Sequence, residues 1–172
     1  PSRIHSANIL FHVFNIGNAK QKIFLDDEDR FFYLWLLRKY KTKYGVRLYH
    51  FVLMPNHFHL LIEPTKERTL SICMQSITAT YSLNFNRKYR SVGHVWQSRF
   101  RSIPIETDSY YLRCARYIEL NPVRSHLVER PESYRWSSYL RSIQKKPITW
   151  IDEHPLLGEM NKTHENYQEF VG

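Results

Sequence analysis

The chain has 172 residues, 42% of them hydrophobic, with only five Gly and eight Pro. This length and composition favour one folded domain with a substantial core and exclude a predominantly disordered protein. Lys and Arg outnumber Asp and Glu by 25 to 16, giving a formal net charge of +9, which favours a polyanionic partner such as nucleic acid.

The cysteines and the apolar segments indicate the cellular compartment of the protein. Cys73 and Cys114 lie far apart in apolar helical patterns, which excludes a zinc knuckle or disulfide framework and favours a reduced, cytosolic setting. No stretch approaches the roughly 18 continuous apolar residues of a membrane span, and residues 1–5 lack a signal-peptide core. We therefore expect a cytoplasmic protein without membrane partners. Because the first residue is Pro1, we expect the numbered sequence to start within a longer gene product.

The first predicted elements are a strand and a helix. Residues 8–14 are rich in strand formers and precede a turn signal at 15–18. The acidic segment 26–29 can cap a helix whose apolar residues recur at helical spacing, and Gly45 offers a C-terminal stop.

A hairpin, a helix and a further strand follow. Residues 46–53 predict a strand that the link 54–56 joins to a second strand at 57–63, in an antiparallel hairpin. An apolar stripe predicts a second helix over about 69–86. A polar, aromatic connection then leads to a strand near 99–105.

A third helix completes the predicted domain. Thr107 or Asp108 can cap it, and Asn121-Pro122 should end it, because the residue before proline avoids the helical region. The order β-α-β-β-α-β-α predicts an α+β fold with a ferredoxin-like antiparallel sheet. We expect residues 1–144 to form this domain and 145–172, where the composition turns neutral to acidic, to form a C-terminal appendage.

Two histidines on one predicted strand are the leading candidate for chemistry. His57 and His59 project from the same face because side chains alternate along a strand, so they could hold one metal ion. Glu63 shares that face but lies about 13 Å from His59 along an ideal strand, too far to be an obvious third ligand. Without a third His or Cys nearby in sequence, we expect an open, oxygen-rich Mg²⁺ or Mn²⁺ position. Two unliganded histidines on a half-exposed strand are the alternative.

The third helix could supply the remaining groups. Tyr117 and Asn121 are four residues apart and share a helix face, so a tyrosine could attack phosphorus while an amide oxygen completes a metal shell. Tyr117 could equally be a packed aromatic residue and Asn121 a helix-ending residue. Tyr110 lies on the same stripe and Tyr111 on a neighbouring one, so spacing alone does not choose the tyrosine.

A long basic segment predicts the substrate. Between Arg68 and Ile105 there is no Asp or Glu, as expected for a surface that binds a phosphate backbone. Its positive residues are Arg68, Arg87, Lys88, Arg90, Arg99 and Arg101. Aromatic residues lie among them and could stack on unpaired bases: Tyr89, His94, Trp96 and Phe100. The alternative is that Trp96 and Phe100 are core residues and the arginines a solvated face.

In combination, these motifs resemble those of a known family. Four segments occur in the family's order, at 52–61 (VLMPNHFHLL), 93–100 (GHVWQSRF), 116–124 (RYIELNPVR) and 134–139 (YRWSSY). The chain resembles the HUH single-tyrosine transposases, most closely their REP-associated branch, over roughly residues 8–140. One departure is Ile16, which precedes Gly17 where relatives commonly have an arginine.

The resemblance implies a role for each matched residue. His57, His59 and Asn121 would be metal ligands for Mg²⁺ or Mn²⁺, and Tyr117 would be the nucleophile. The residues that we expect to contact DNA are Arg87, Lys88, Arg90, Trp96, Arg99, Arg101, Arg113, Arg116 and Arg124.

The implied activity is that of a transposase and single-strand endonuclease. It would cleave and rejoin single-stranded DNA near hairpins through a covalent 5′-phosphotyrosine and a free 3′-OH, in a bacterial cytoplasm and in association with the nucleoid. Relatives include monomers and homodimers, so either state is expected. Two alternatives are a domesticated DNA-binding protein without transposition activity and a metal-dependent nuclease that uses water.

Overall fold

A four-stranded antiparallel sheet forms the centre of the computed structural model, which describes residues 7–143, 148–162 and 167–171. The strand order is β2-β3-β1-β4, with β1 at Leu10–Ile16, β2 at Val46–Met54, β3 at His57–Pro64 and β4 at Arg101–Ile105. The helices are α1 (Asp27–Tyr44), α2 (Thr69–Tyr89), α3 (Asp108–Arg124), α4 (Tyr139–Ser142), α5 (Pro155–Lys162) and α6 (Tyr167–Val171). The predicted α+β class and the order β-α-β-β-α-β-α through α3 are confirmed.

Helices cover both faces of the sheet. Phe58 and Leu60 on β3 pack with Tyr33 of α1 and Ile77 of α2 in one core. Leu61 of the same strand belongs to a second core, which includes side chains of α3 and α6. His57 and His59 alternate with Phe58 and Leu60, so they lie on the face that α3 covers.

The turn between β2 and β3 fixes the start of the histidine strand. Met54 pairs with His57 across the hairpin. The Pro55 carbonyl accepts hydrogen bonds from the backbone of residues 23 and 24, and the Asn56 carbonyl accepts one from Gly17. This short turn therefore holds His57 firmly against the end of β1.

The third helix runs two residues further than predicted. It continues through Pro122 to Arg124, so the prediction that Asn121-Pro122 ends the helix is wrong. Pro122 removes only one intrahelical hydrogen bond, and it lies in the last turn, where little helix remains to be disrupted. Asn121 consequently keeps a helical position one turn beyond Tyr117.

A buried polar network ties α3 to the sheet. A β-bulge at Tyr49 lets both Tyr49 and the next residue, His50, join the α3 side. His50 donates from Nδ1 to Glu119 Oε1 (2.8 Å), and the Tyr111 hydroxyl donates to His50 Nε2 (2.8 Å). Ser142 also donates to Glu119 Oε1 (2.6 Å). Glu119 lies between Tyr117 and Asn121 in sequence, so this network anchors the part of α3 that carries them.

Glu119→Ala is expected to lower the free energy of unfolding by about 3 kcal/mol or more, because it leaves buried donors unpaired. Urea unfolding monitored by circular dichroism measures the change. Glu129→Ala removes an exposed glutamate and should change stability by less than about 0.5 kcal/mol. Equal effects of the two substitutions would contradict a structural role for the network.

The described C-terminal residues pack against the domain. The Asp152 carboxylate accepts hydrogen bonds from Lys41 Nζ (2.6 Å) and the Leu48 backbone (2.8 Å), and Tyr167 of α6 is fully buried. The proposed boundary at residue 144 lies outside the described residues. Within the described ranges, no helix has the length and apolar character needed to cross a membrane.

Candidate active site

The two histidines lie where β1, β3 and α3 meet. His59 pairs with Phe14 and His57 with Ile16 across the sheet. Their ring centroids are 5.1 Å apart. The predicted convergence of both imidazoles on one face is therefore present. Helix α3 places Tyr117 and Asn121 beside them.

Polar partners orient His57 at both ring nitrogens. Nδ1 lies 2.6 Å from Asn56 Oδ1 and Nε2 lies 3.3 Å from Asn121 Oδ1. When Nδ1 carries the proton and donates to Asn56, the neutral ring presents its Nε2 lone pair to the Asn121 oxygen. The two atoms lie 3.3 Å apart, close to the separation of about 3 Å between adjacent ligands of an octahedral cation.

A third histidine completes the cluster. His12 of β1 lies with Nε2 at 2.9 Å from His59 Nδ1, and the two rings stack with centroids 5.0 Å apart. This contact commits His59 Nδ1 and leaves Nε2 for another ligand, as expected for a residue that orients a metal-binding imidazole. His12 was not predicted from the sequence, although its alternation with Phe14 on a predicted strand was a usable signal.

Burial favours neutral imidazoles throughout the cluster. It lowers the pKa of His57, lowers that of His12 to about 4, and lowers that of His59 to about 3, the last with help from the two neighbouring histidines. Neutral imidazole is the form that binds metals.

The donor set fits an open site better than a closed one. Among the described residues, no group of three or more His, Cys, Asp or Glu side chains is arranged to hold a metal ion. The candidate donors are instead the imidazoles of His57 and His59 and the amide oxygen of Asn121. Glu63 is engaged elsewhere, with Arg47 (3.1 Å) and the Tyr49 hydroxyl (2.8 Å).

Tyr117 is the tyrosine of α3 that reaches this site. Its ring packs edge-on against His59, with centroids 5.4 Å apart, and 38% of the residue is exposed. Tyr111 is instead buried and bound to His50, and Tyr110 packs against the second core. The geometry thus separates three tyrosines that sequence spacing left equivalent.

A cavity of about 420 Å³ connects these groups to solvent. His57, His59 and Tyr117 line it together with two cations, Arg101 and Lys20. The Arg124 guanidinium lies 5.5 Å from the centre of the Tyr117 ring. Lys20, which was not predicted from the sequence, supplies a cation in the same cavity as Ile16.

Two of the residues expected to contact DNA are committed to the fold. Lys88 Nζ lies within 3.0 Å of the carboxylates of Asp26, Glu28 and Asp29, so its charge is neutralised within the protein. Trp96 packs against the first core and donates from its indole nitrogen to the Thr78 carbonyl (3.1 Å). These contacts give both residues a structural role, which weakens the expectation that they bind DNA.

The remaining candidate cations differ in position. Arg101 and Arg124 adjoin Tyr117, whereas Arg116 donates from Nε to the Val171 carbonyl (3.3 Å) and faces α6. The others are exposed: Arg87, Arg90, Arg99 and Arg113. Phe100, expected among the stacking residues, is 6% exposed.

Comparison with known protein families places this site in context. The model of the IS200-like transposases matches residues 5–121, which include the histidine pair, Tyr117 and Asn121. The chain belongs to this family. The match supports a transposase-like role in DNA processing. No curated protein sequence matches this chain significantly.

A solved structure shows the same fold. A REP-associated tyrosine transposase bound to a REP hairpin superposes with a TM-score of 0.68 at 17% identity, covering 90% of this chain and 97% of the other. A protein from Deinococcus radiodurans R1, described as a candidate transposase, has a TM-score of 0.49 at 17% identity, covering 69% and 95%. The predicted resemblance to the REP-associated branch is thus matched at the level of fold.

Proposed function

We propose that the protein cleaves and rejoins single-stranded DNA beside a hairpin, with Tyr117 as nucleophile and a divalent metal ion at His57, His59 and Asn121. The observation that carries the proposal is the exposed Tyr117 hydroxyphenyl group, which lines one cavity with the imidazoles of His57 and His59. The structural relative bound to a REP hairpin motivates the choice of substrate.

The proposed cleavage step exchanges one phosphoester bond for another and needs no further reactant. Tyr117 Oη forms a bond to phosphorus while the bond from phosphorus to the 3′ oxygen breaks. The phenol proton passes to solvent, and the released 3′ oxygen takes up a proton. The products are a 5′-phosphotyrosine and a free 3′-OH, and a second 3′-OH can reverse the step to join a different strand.

Several side chains prepare this step. His12 and Asn56 hold the two imidazoles in orientation, and Asn121 approaches from α3. Arg101 and Arg124 place positive charge beside Tyr117, where it attracts the phosphate. A bound Mg²⁺ or Mn²⁺ would supply Lewis-acid stabilisation of charge on the phosphate oxygens.

The direct test is incubation of the purified protein with single-stranded hairpin oligonucleotides and Mn²⁺. Cleavage with a covalent protein–DNA adduct supports the proposal. Cleavage without an adduct would indicate attack by water, and binding without cleavage would indicate a domesticated DNA-binding protein.

Arg101→Gln is expected to weaken binding of single-stranded DNA and to reduce the slope of log K against log salt by about 0.7, the value for one lost phosphate contact. Lys88→Gln should leave that slope unchanged, because Asp26, Glu28 and Asp29 already neutralise Lys88. Fluorescence anisotropy at four salt concentrations measures both. The same slope change in both variants would contradict the assignment of Arg101 as a phosphate contact and of Lys88 as a charge neutralised within the protein.

A further inference from the structure

The loop between β1 and α1 brings an ammonium group to the candidate active site. Lys20 lies in this loop, is exposed, and lines the same cavity as Tyr117. No described residue forms an ion pair or a hydrogen bond with the Lys20 side chain. Its positive charge is therefore available to a ligand in the cavity, unlike that of Lys88, which three carboxylates neutralise.

The backbone of this loop has a conformation that its residues disfavour. Ala19 and Lys20 have φ angles of +49° and +60°, in the left-handed region that is uncommon for residues with a Cβ atom. Hydrogen bonds hold the loop in place, from the Asn18 amide to the Val95 carbonyl (2.8 Å) and from the Lys20 amide to the Gly17 carbonyl (2.9 Å). Backbone strain of this kind clusters at functional sites, where the surrounding structure fixes it.

Asn56 connects the loop to the histidine pair. Its side-chain nitrogen donates to the Lys20 carbonyl (3.3 Å), and its Oδ1 lies 2.6 Å from Nδ1 of His57. The other ring nitrogen of His57 faces Asn121 on α3. The Lys20 backbone and α3 therefore lie on opposite sides of the His57 ring. A phosphate bound beside this ring lies between the loop that carries Lys20 and the helix that carries Tyr117.

This arrangement matches the geometry of an in-line displacement. In phosphoryl transfer the attacking and leaving oxygens lie roughly in line, on opposite sides of phosphorus. When Tyr117 attacks from α3, the 3′ oxygen leaves toward the side of Lys20. That oxygen departs as a strongly basic alkoxide unless a proton reaches it, and a well-placed general acid accelerates such a step by about 10²–10⁴-fold.

Lys20 is the charged group of the cavity that can supply this proton. Arg101 also lines the cavity, but a guanidinium does not give up its proton in proteins. His57 and His59, the proposed metal ligands, bind a metal as neutral imidazoles. A lysine ammonium has three N–H donors, and solvent can protonate the amine again after a transfer.

We propose that Lys20 is a catalytic residue that donates a proton to the released 3′ oxygen. The inference rests on the proposed function, because it completes the cleavage step by Tyr117. As the bond from Tyr117 Oη to phosphorus forms, the electron pair of the broken bond passes to the 3′ oxygen. This oxygen takes a proton from Lys20 Nζ and becomes the free 3′-OH. In the joining step, the neutral amine accepts the proton of the incoming 3′-OH.

A substrate with sulfur in place of the 3′ oxygen at the scissile phosphate tests the inference. A thiolate leaves without a proton, because a thiol such as that of cysteine has a pKa of only about 8.5. Lys20→Met removes the proton donor, and Lys20→Arg keeps the charge without a transferable proton. We expect both variants to cleave the oxygen substrate at least about a hundredfold more slowly than the wild-type chain, and the sulfur substrate within about threefold of it. Single-turnover rates with Mn²⁺ at saturating protein measure both.

Lys22→Met is the matched control, because Lys22 is an exposed lysine that does not line the cavity. It should cleave both substrates within about twofold of the wild-type rate, and circular dichroism verifies that each variant is folded. Wild-type rates on the oxygen substrate in Lys20→Met or Lys20→Arg, or equal losses on both substrates, would overturn the inference and leave the wild-type adduct unaffected. A wild-type chain that forms no adduct would refute the proposed function, and the inference with it.

Discussion

Tyr117→Phe is expected to reduce cleavage of hairpin DNA by at least about a thousandfold, because the substitution removes the attacking oxygen and no other hydroxyl of α3 lies in the same cavity among the described residues. The phenylalanine ring can keep the edge-on contacts with His59 and His12. Folding and DNA affinity should therefore change little. Gel analysis of labelled oligonucleotides measures both cleavage and the adduct.

Tyr110→Phe is the matched control for this experiment. It removes the same hydroxyl from the same helix, at a residue that packs against the second core rather than into the cavity. It should retain cleavage within about twofold, because the hydroxyl that it removes does not line the cavity. Retained cleavage in Tyr117→Phe would refute the assignment of the nucleophile.

His57→Ala and His59→Ala are expected to abolish cleavage, with losses of at least about a thousandfold, while DNA affinity stays within about threefold. Affinity comes mainly from contacts with the backbone, and the two imidazoles would act through the metal ion. Chelation of divalent metal should have the same effect on the wild-type chain.

An exposed histidine provides the control for that pair. His126→Asn alters a residue just after α3 whose φ is +54°, a conformation that asparagine tolerates. Cleavage and affinity should both be unchanged. If the His57 and His59 variants lost binding and cleavage in equal measure, the histidines would be binding residues and the metal assignment would fail.

Local patterns predicted much of the fold. The capping box of α1 is formed by Asp26 and Asp29, and the helix stops at Gly45 in a left-handed conformation, as the acidic segment and the glycine indicated. The hairpin and the alternation of His57 and His59 also followed from residue order. Each of these features depends on residues a few positions apart.

Contacts between segments that lie far apart in the sequence could not be predicted from local patterns. His12 and His59 are 47 residues apart, and their hydrogen bond depends on the register between β1 and β3, which no local pattern fixes. Lys88 belonged to an acid-free stretch, yet its carboxylate partners come from the start of α1. The choice of Tyr117 over Tyr111 likewise depended on how α3 is rotated against the sheet.

The measurement that tests the central claim most directly is the mapping of the covalent adduct. The wild-type chain is incubated with Mn²⁺ and hairpin oligonucleotides labelled at either end, and the adduct is digested with trypsin for mass spectrometry. Trypsin cuts the chain after Arg116 and Arg124 and releases a peptide of residues 117–124, in which Tyr117 is the only tyrosine. We predict that the fragment labelled at its 3′ end is attached to this peptide and that the other fragment is released with a free 3′-OH. Attachment to another peptide, attachment of the fragment labelled at its 5′ end, or cleavage with both fragments free would contradict the account.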